Sequence, residues 1–233
     1  MPQPIALKQN TVFVKTVMAI SGVILLGYVI GHLLGNLKLY AGPEAINAYA
    51  AWLHSHPPLI WGTRLLLLGA VGAHISAAFR LWALSRRARP IQYQQKEYLA
   101  TTYAARTMRW SGIIVLCFVV YHLAHLTLGQ TAGLYRFDPH HVYNNIVYGF
   151  RVWWIALIYV IGNLALGLHL YHGAWSFLQT LGANHPRYNQ ARRFAAIALV
   201  TFIVAGNVSF PVMVMAGVIE PDTSATLTDR PSP

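Results

Sequence analysis

The chain carries one cysteine and six acidic residues in 233, and charged side chains of both signs make up only 10% of it. A lone thiol, Cys117, excludes an internal disulfide and any cluster or metal ion held by cysteines of this chain. No C-x-x-C-H sequence offers a point of covalent haem attachment, and no glycine-rich dinucleotide fingerprint is present. What fills the chain instead is apolar: 56% of it is hydrophobic, a composition foreign to an ordinary soluble domain.

Five apolar stretches reach the roughly 20 residues that a spanning helix needs: about Thr16–Leu37, Leu59–Leu84, Trp110–Leu128, Val152–Leu178 and Phe194–Ile219. They leave no room for a separate soluble domain. The expected fold is an all-α integral membrane bundle of five transmembrane helices, with one domain over residues 1–222 and a flexible tail over 223–233. The first stretch is too long for a signal peptide, lacks a small-residue cleavage site, and is expected to be retained.

Basic residues cluster on one side of this pattern. Lys8 and Lys15 precede the first span; Arg80, Arg86, Arg87, Arg89, Lys96, Arg106 and Arg109 surround the connection between the second and third; Arg187, Arg192 and Arg193 lie between the fourth and fifth. The positive-inside rule places these in the cytoplasm, with the N-terminus inside and the tail of Glu220, Asp222 and Asp229 outside. The net charge of +11 is then chiefly a topology signal, with a basic face that suits anionic lipid or an acidic partner. Nucleic-acid binding is not expected, because no soluble fold displays the charge.

Each of the first four spans carries a histidine in its second half: His32, His74, His122 and His169. Imidazoles at that depth are costly in lipid and need a purpose. The first and third spans run outward and the second and fourth inward, so topology pairs His32 with His122 and His74 with His169. The two layers are expected on the order of 10 Å apart along the membrane normal. Two b-type haems, each held by two histidines, fit this pattern. An internal echo supports it: Ser21-Gly22 precedes His32 as Ser111-Gly112 precedes His122, without a gap, and Gly72-Ala-His74 matches Gly167-Leu-His169 more weakly. Gly31, Gly35, Gly72, Ala73 and Gly167 remove bulk where a flat macrocycle would lie, or simply let helices pack closely. His125 and His172, three residues beyond His122 and His169, are rival ligands. Arg64, Arg80, Arg109 and Arg151 are candidate partners for haem propionates, and each could equally anchor a helix end.

These residues resemble a family, the cytochrome b subunit of succinate:quinone oxidoreductases (complex II) of the class with one five-helix anchor and two haems. The resemblance runs from Ser21-Gly22 and Gly31-His32-Leu-Leu-Gly-Asn36 through Ala73-His74 and Trp110-Ser-Gly112 to His122. It is most specific in Gly167-Leu-His169-Leu-Tyr-His-Gly173-Ala-Trp175-Ser-Phe-Leu-Gln179-Thr-Leu-Gly182. It implies axial ligation of a distal haem by His32 and His122 and of a proximal haem by His74 and His169. It also implies flavoprotein and iron–sulfur subunits on the cytoplasmic face of a bacterial inner membrane. Electrons would pass from them to a quinone, by resemblance menaquinone. Lys15, Ser111, His172 and Trp175 are candidates for an inner quinone site, and Asn36, Tyr40, Glu44 and His54 for an outer one. Relatives that reduce fumarate use a membrane-buried glutamate as a proton path; no acidic residue here lies mid-membrane, which favours succinate oxidation. The segment Thr131–Phe150 is expected to cap the distal haem, and the remaining loop histidines, His56, His140, His141 and His185, to be solvated. Three other classes fit part of the pattern: a quinone-linked cytochrome b of a hydrogenase or formate dehydrogenase, a haem-free, proton-coupled transporter that uses membrane histidines, and a haem-free structural anchor.

Overall fold

The computed structural model describes residues 11–88, 103–182 and 185–224. Lys8, Arg89, Lys96 and the tail from residue 225 onward lie outside them. Within the described residues the protein is all-helical: α1 (Thr11–Asn36), α2 (Pro43–His54), α3 (Pro57–Arg87), α4 (Tyr103–His122), α5 (Val142–Arg151), α6 (Trp153–Thr180) and α7 (Asn189–Met215). Five of the seven, α1, α3, α4, α6 and α7, are long and apolar enough to cross a membrane. They alternate in direction, and many large apolar side chains, among them Phe13, Leu65, Leu68, Trp110 and Phe194, remain exposed on the outer surface of the bundle. In water that surface would aggregate; in lipid it is the solvated face, so this is a multi-pass membrane protein.

The bundle is two antiparallel hairpins and a fifth helix. α1 packs closely on α3, α4 on α6, and α7 on α6, while α1 also meets α6 and α7. Close approach is bought with glycine where it is needed. A β-carbon on Gly206 of α7 would fall 2.8 Å from Leu33, which is itself fully buried, and one on Gly167 of α6 would fall 2.5 Å from Val204. Gly35 likewise admits the ring of Tyr49 from α2. Gly35 and Gly167 therefore serve packing between helices and not the accommodation of a macrocycle.

One end of the bundle is closed by two short helices that hydropathy did not reveal. α2 starts on Pro43 with Glu44 in its first turn, a sound helix entry. α5 is amphipathic: Tyr143, Ile146, Val147 and Phe150 face the core, with Asn144 and Asn145 buried beside them. The buried asparagines find partners in the neighbouring chain segments. Asn144 donates to the carbonyl of Asp222 at 2.9 Å and accepts from the Asp222 backbone N–H at 2.9 Å. The Tyr143 backbone N–H donates to Asn47 of α2 at 3.0 Å, and its hydroxyl to the Glu220 carbonyl at 2.9 Å. The segment 131–150 is thus a built cap, pinned to α2 and to the chain that follows α7. Asn144→Ala removes both bonds to Asp222, leaves its backbone groups unpaired, and is expected to destabilise the cap by about 1–2 kcal/mol. Limited proteolysis of detergent-solubilised protein checks this, with faster cleavage after Ile219 expected in the variant.

Candidate haem-ligand pairs

The four histidines meet in the two pairs expected from topology. The ring centres of His32 and His122 lie 5.7 Å apart with planes at 89°, and those of His74 and His169 lie 6.1 Å apart at 64°. An imidazole nitrogen binds a metal at about 2.0 Å and sits roughly 1 Å from its own ring centre, so two rings on opposite sides of one ion have centres ~6 Å apart. Both pairs match that spacing. The helices that bear them, α1 with α4 and α3 with α6, are not among the closely packed pairs of the bundle. The imidazoles therefore reach across a gap between helices, and a β-carbon on Gly31 or Gly72, next to the ligands, would meet open space.

Which group would suit two such pairs follows from the donor set. No cluster of three or more His, Cys, Asp or Glu side chains capable of holding a bare ion occurs among the described residues. Two imidazoles are too few for an isolated zinc or copper ion, but they complete the coordination of an ion that arrives in a planar ring with four nitrogens of its own. The buried Nδ1 atoms of His122 and His169 have no hydrogen-bond partner. His74 is better held: its Nδ1 lies 3.2 Å from the Met18 carbonyl and 3.3 Å from Ser21 Oγ. An Nδ1–H donated there leaves Nε2 as a free lone pair, the tautomer a metal ligand needs. The residues present fit a bis-histidine haem at each layer.

The separation of the layers follows from which glycine meets which histidine. Gly22 of α1 abuts His74, and His32 follows ten residues later; Gly112 of α4 abuts His169, and His122 follows at the same interval. At 1.5 Å per residue the two levels are about 15 Å apart, of the order expected from the sequence.

His125 is removed as a rival ligand. It is fully buried in a π-helical turn, Leu123–Thr127, whose closing bond runs from Leu128 N–H to the Leu123 carbonyl at 2.9 Å. Both ring nitrogens are taken: Nδ1 by Tyr159 Oη at 3.0 Å and Nε2 by Tyr135 Oη at 2.8 Å. Since a neutral imidazole has one donor and one acceptor, one tyrosine accepts and the other donates. His125 ties the cap to α6, and its ring stacks on Tyr121. Sequence reasoning missed this triad, although the widened turn is the sort of local irregularity that marks special sites. Burial, with Tyr121 nearby, pushes the Tyr135 phenol up to about 12 from its ordinary value near 10. Its folded-state value is raised, so the stabilisation from this phenol is whole below about pH 10 and is lost as pH climbs toward 12. Tyr135→Phe is expected to flatten the alkaline limb of a melting-temperature profile taken from pH 8 to 11.5.

Other expected site residues are scattered. Arg64 lies over the ring of Trp61 and Arg109 over Trp82. Arg80 is exposed near the end of α3, and Arg151 is exposed where α5 ends. Around the open end of the bundle, Ser111 is buried and bonded to the Met108 carbonyl, Trp175 lies beneath Arg192, His172 is half-buried and Lys15 is exposed. No hydrogen bond or ring contact joins these four among the described residues. At the capped end Glu44 and His54 stand at opposite ends of α2, about 15 Å apart by helical rise. His54 is turned back onto the Ala50 carbonyl at 2.8 Å. These two do not share a small pocket, and Asn36 ends α1 half-buried. Of the loop histidines, His141 pairs with Asp138 at 2.8 Å. The His140 backbone N–H and the His141 ring together hold the Asp138 carboxyl below its usual range.

No family model, curated protein or solved structure matches this chain. The case for function rests on the residues themselves.

Proposed function

We propose that the chain is the membrane anchor and electron-transfer subunit of a succinate dehydrogenase, holding two b haems and passing electrons from an iron–sulfur subunit to a quinone. The observation that carries the reading is the facing of four membrane-embedded imidazoles in two pairs, each near 6 Å, between helices that do not otherwise touch closely. His32 and His122 would hold the group at the capped end, and His74 and His169 the one at the open end. Haem supplies reversible one-electron transfer at each level.

The rest is the work of the chain. The Met18 carbonyl and Ser21 hydroxyl orient His74, while Tyr28, stacked on His32 at 5.5 Å, and Phe118 and Tyr159 beside His122 wall the other layer with aromatic rings. The cap of α2 and α5 screens that layer from water. Arg64, Arg80, Arg109 and Arg151 stand toward the helix ends, where acidic propionates would need cations.

In this reading the open end, with Lys15, Arg86, Arg87, Arg109 and Arg192, faces the cytoplasm and receives the iron–sulfur and flavoprotein subunits. The N-terminus is then inside and the C-terminus outside a bacterial inner membrane. Ser111, His172, Trp175 and Lys15 stand toward an inner quinone region, and Asn36 and Tyr40, with either Glu44 or His54, toward an outer one, with menaquinone as the quinone. The test is a reduced-minus-oxidised absorption spectrum of the purified complex, with haem counted as its pyridine haemochrome. Two haems b per chain, reducible by succinate when the partner subunits co-purify, are expected. A folded chain free of haem would overturn the proposal and turn attention to histidine-based proton transport; haem reducible by formate or hydrogen, and not by succinate, would reassign the partner.

A further inference from the structure

A short unit, Met-x-x-Ser-Gly, occurs twice: Met18, Ser21 and Gly22 in α1, and Met108, Ser111 and Gly112 in α4, each pair ninety positions apart. The fold puts the two copies to the same use. A β-carbon on Gly22 would lie 3.4 Å from Cε1 and 3.6 Å from Nδ1 of His74; one on Gly112 would lie 3.4 Å from Cε1 and 3.6 Å from Nδ1 of His169. Each glycine therefore carries the imidazole of the antiparallel neighbour across its bare face, in the same attitude. The unit serves the histidine of the next spanning helix and not the one that follows it on its own helix.

In the first copy the polar groups have closed on that imidazole. Ser21 Oγ donates to the Val17 carbonyl at 2.7 Å, which leaves its oxygen, together with the Met18 carbonyl, to accept from His74 Nδ1–H. In the second copy the same parts are in place and one bond is open. Ser111, 3% exposed, donates to the Met108 carbonyl at 3.0 Å, and His169 Nδ1, buried beside it, has no partner. A buried N–H left unmet costs about 1–3 kcal/mol, which favours its pairing with the Met108 carbonyl or the Ser111 hydroxyl.

We infer that Met-x-x-Ser-Gly is an imidazole cradle used twice for one layer: it fixes Nδ1–H of both His74 and His169 and so presents both Nε2 lone pairs to the same iron, while the His32/His122 layer has no such cradle. Ser21 and Ser111 are positioning residues in this scheme, acting through the ligands. The inference rests on the haem reading above. It adds that the two layers are built differently, one by hydrogen bonds from the backbone and a serine, the other by aromatic packing.

The experiment compares Ser21→Ala, Ser111→Ala and Ser111→Thr in the full chain, in the wild-type background and in His32→Ala, where only the open-end layer keeps both ligands. Second-layer partners of a metal-bound histidine are worth about 10–100-fold in affinity. Each alanine variant is expected to lose haem from the open-end layer about tenfold more readily on dilution into a haem scavenger. It should also shift the low-spin ferric resonance of that haem alone. Ser111→Thr, which keeps a hydroxyl, should restore both. If wild type holds two haems and the alanine variants leave both resonances and both retention rates unchanged, or disturb the capped-end haem instead, the cradle is wrong and the haem reading stands. If wild type holds none, both fall together.

Discussion

Replacing His122 by alanine is expected to cut the haem content of the purified chain from two to one, and His32→Ala to remove the same haem. His74→Ala and His169→Ala should each remove the other. The pairing follows from ring centres 5.7 and 6.1 Å apart within the pairs and about 15 Å between the levels, so a lost ligand in one layer leaves the other layer's pair in contact. Each iron would depend on both of its imidazoles, since no third His, Cys, Asp or Glu joins either pair among the described residues. His125→Phe is the control that separates ligand from neighbour: both nitrogens of His125 are engaged by tyrosines, and the haem count should stay at two. Pyridine haemochrome measured per chain decides the matter. A count that falls with His125 and holds with His122 would reverse the assignment, and a count that drops to zero with any single replacement would mean one shared site in place of two.

Gly149→Ala is expected to be strongly damaging although it adds a single methyl group outside the histidine pairs. Its added methyl would stand 2.8 Å from Cε1 and 3.1 Å from Nε2 of His125, and 3.2 Å from the Tyr135 hydroxyl. None of the three can retreat cheaply. His125 is held between Tyr159 and Tyr135, and α5 is buried on both sides of Gly149, at Val147 and Phe150. Overpacking of this kind costs about 1–3 kcal/mol, and broken bonds to His125 add to it. A loss of about 2 kcal/mol corresponds to a fall of roughly 4–8 °C in melting temperature for a chain of this size. Thermal unfolding in detergent measures it, and a variant melting within a degree of wild type would show that His125 does not latch the cap. His125→Phe should lose a similar amount, because it leaves two tyrosine hydroxyls without their partner.

Much of the arrangement was written in the chain. Long uninterrupted apolar runs allow only helices or closed barrels in lipid, and the runs here are helix-length, so five spanning helices were legible from hydropathy alone. Alternation of direction then sorted His32 with His122 and His74 with His169, because a residue's depth in a spanning helix is set by its position in the run. The short helices α2 and α5 were not legible. At 12 and 10 residues they are too short to span a bilayer and marginal as isolated helices, and what makes them helices is packing against the bundle end, a tertiary gain that no local window contains.

The same division holds at the site. Sequence determined that four imidazoles lie in the membrane at two depths and that Ser-Gly recurs at a fixed distance before two of them. Only the tertiary structure decided that each Ser-Gly lies against the histidine of the neighbouring helix and not the one on its own, because partners across a helix interface are fixed by rotation about the helix axes as well as by depth. It also decided that Gly35 and Gly167 serve packing while Gly31 and Gly72 face open space, and that His125 is spent on tyrosines and not on a metal. Depth is a one-dimensional property that composition along the chain encodes; which face meets which neighbour is settled only when all the helices pack at once.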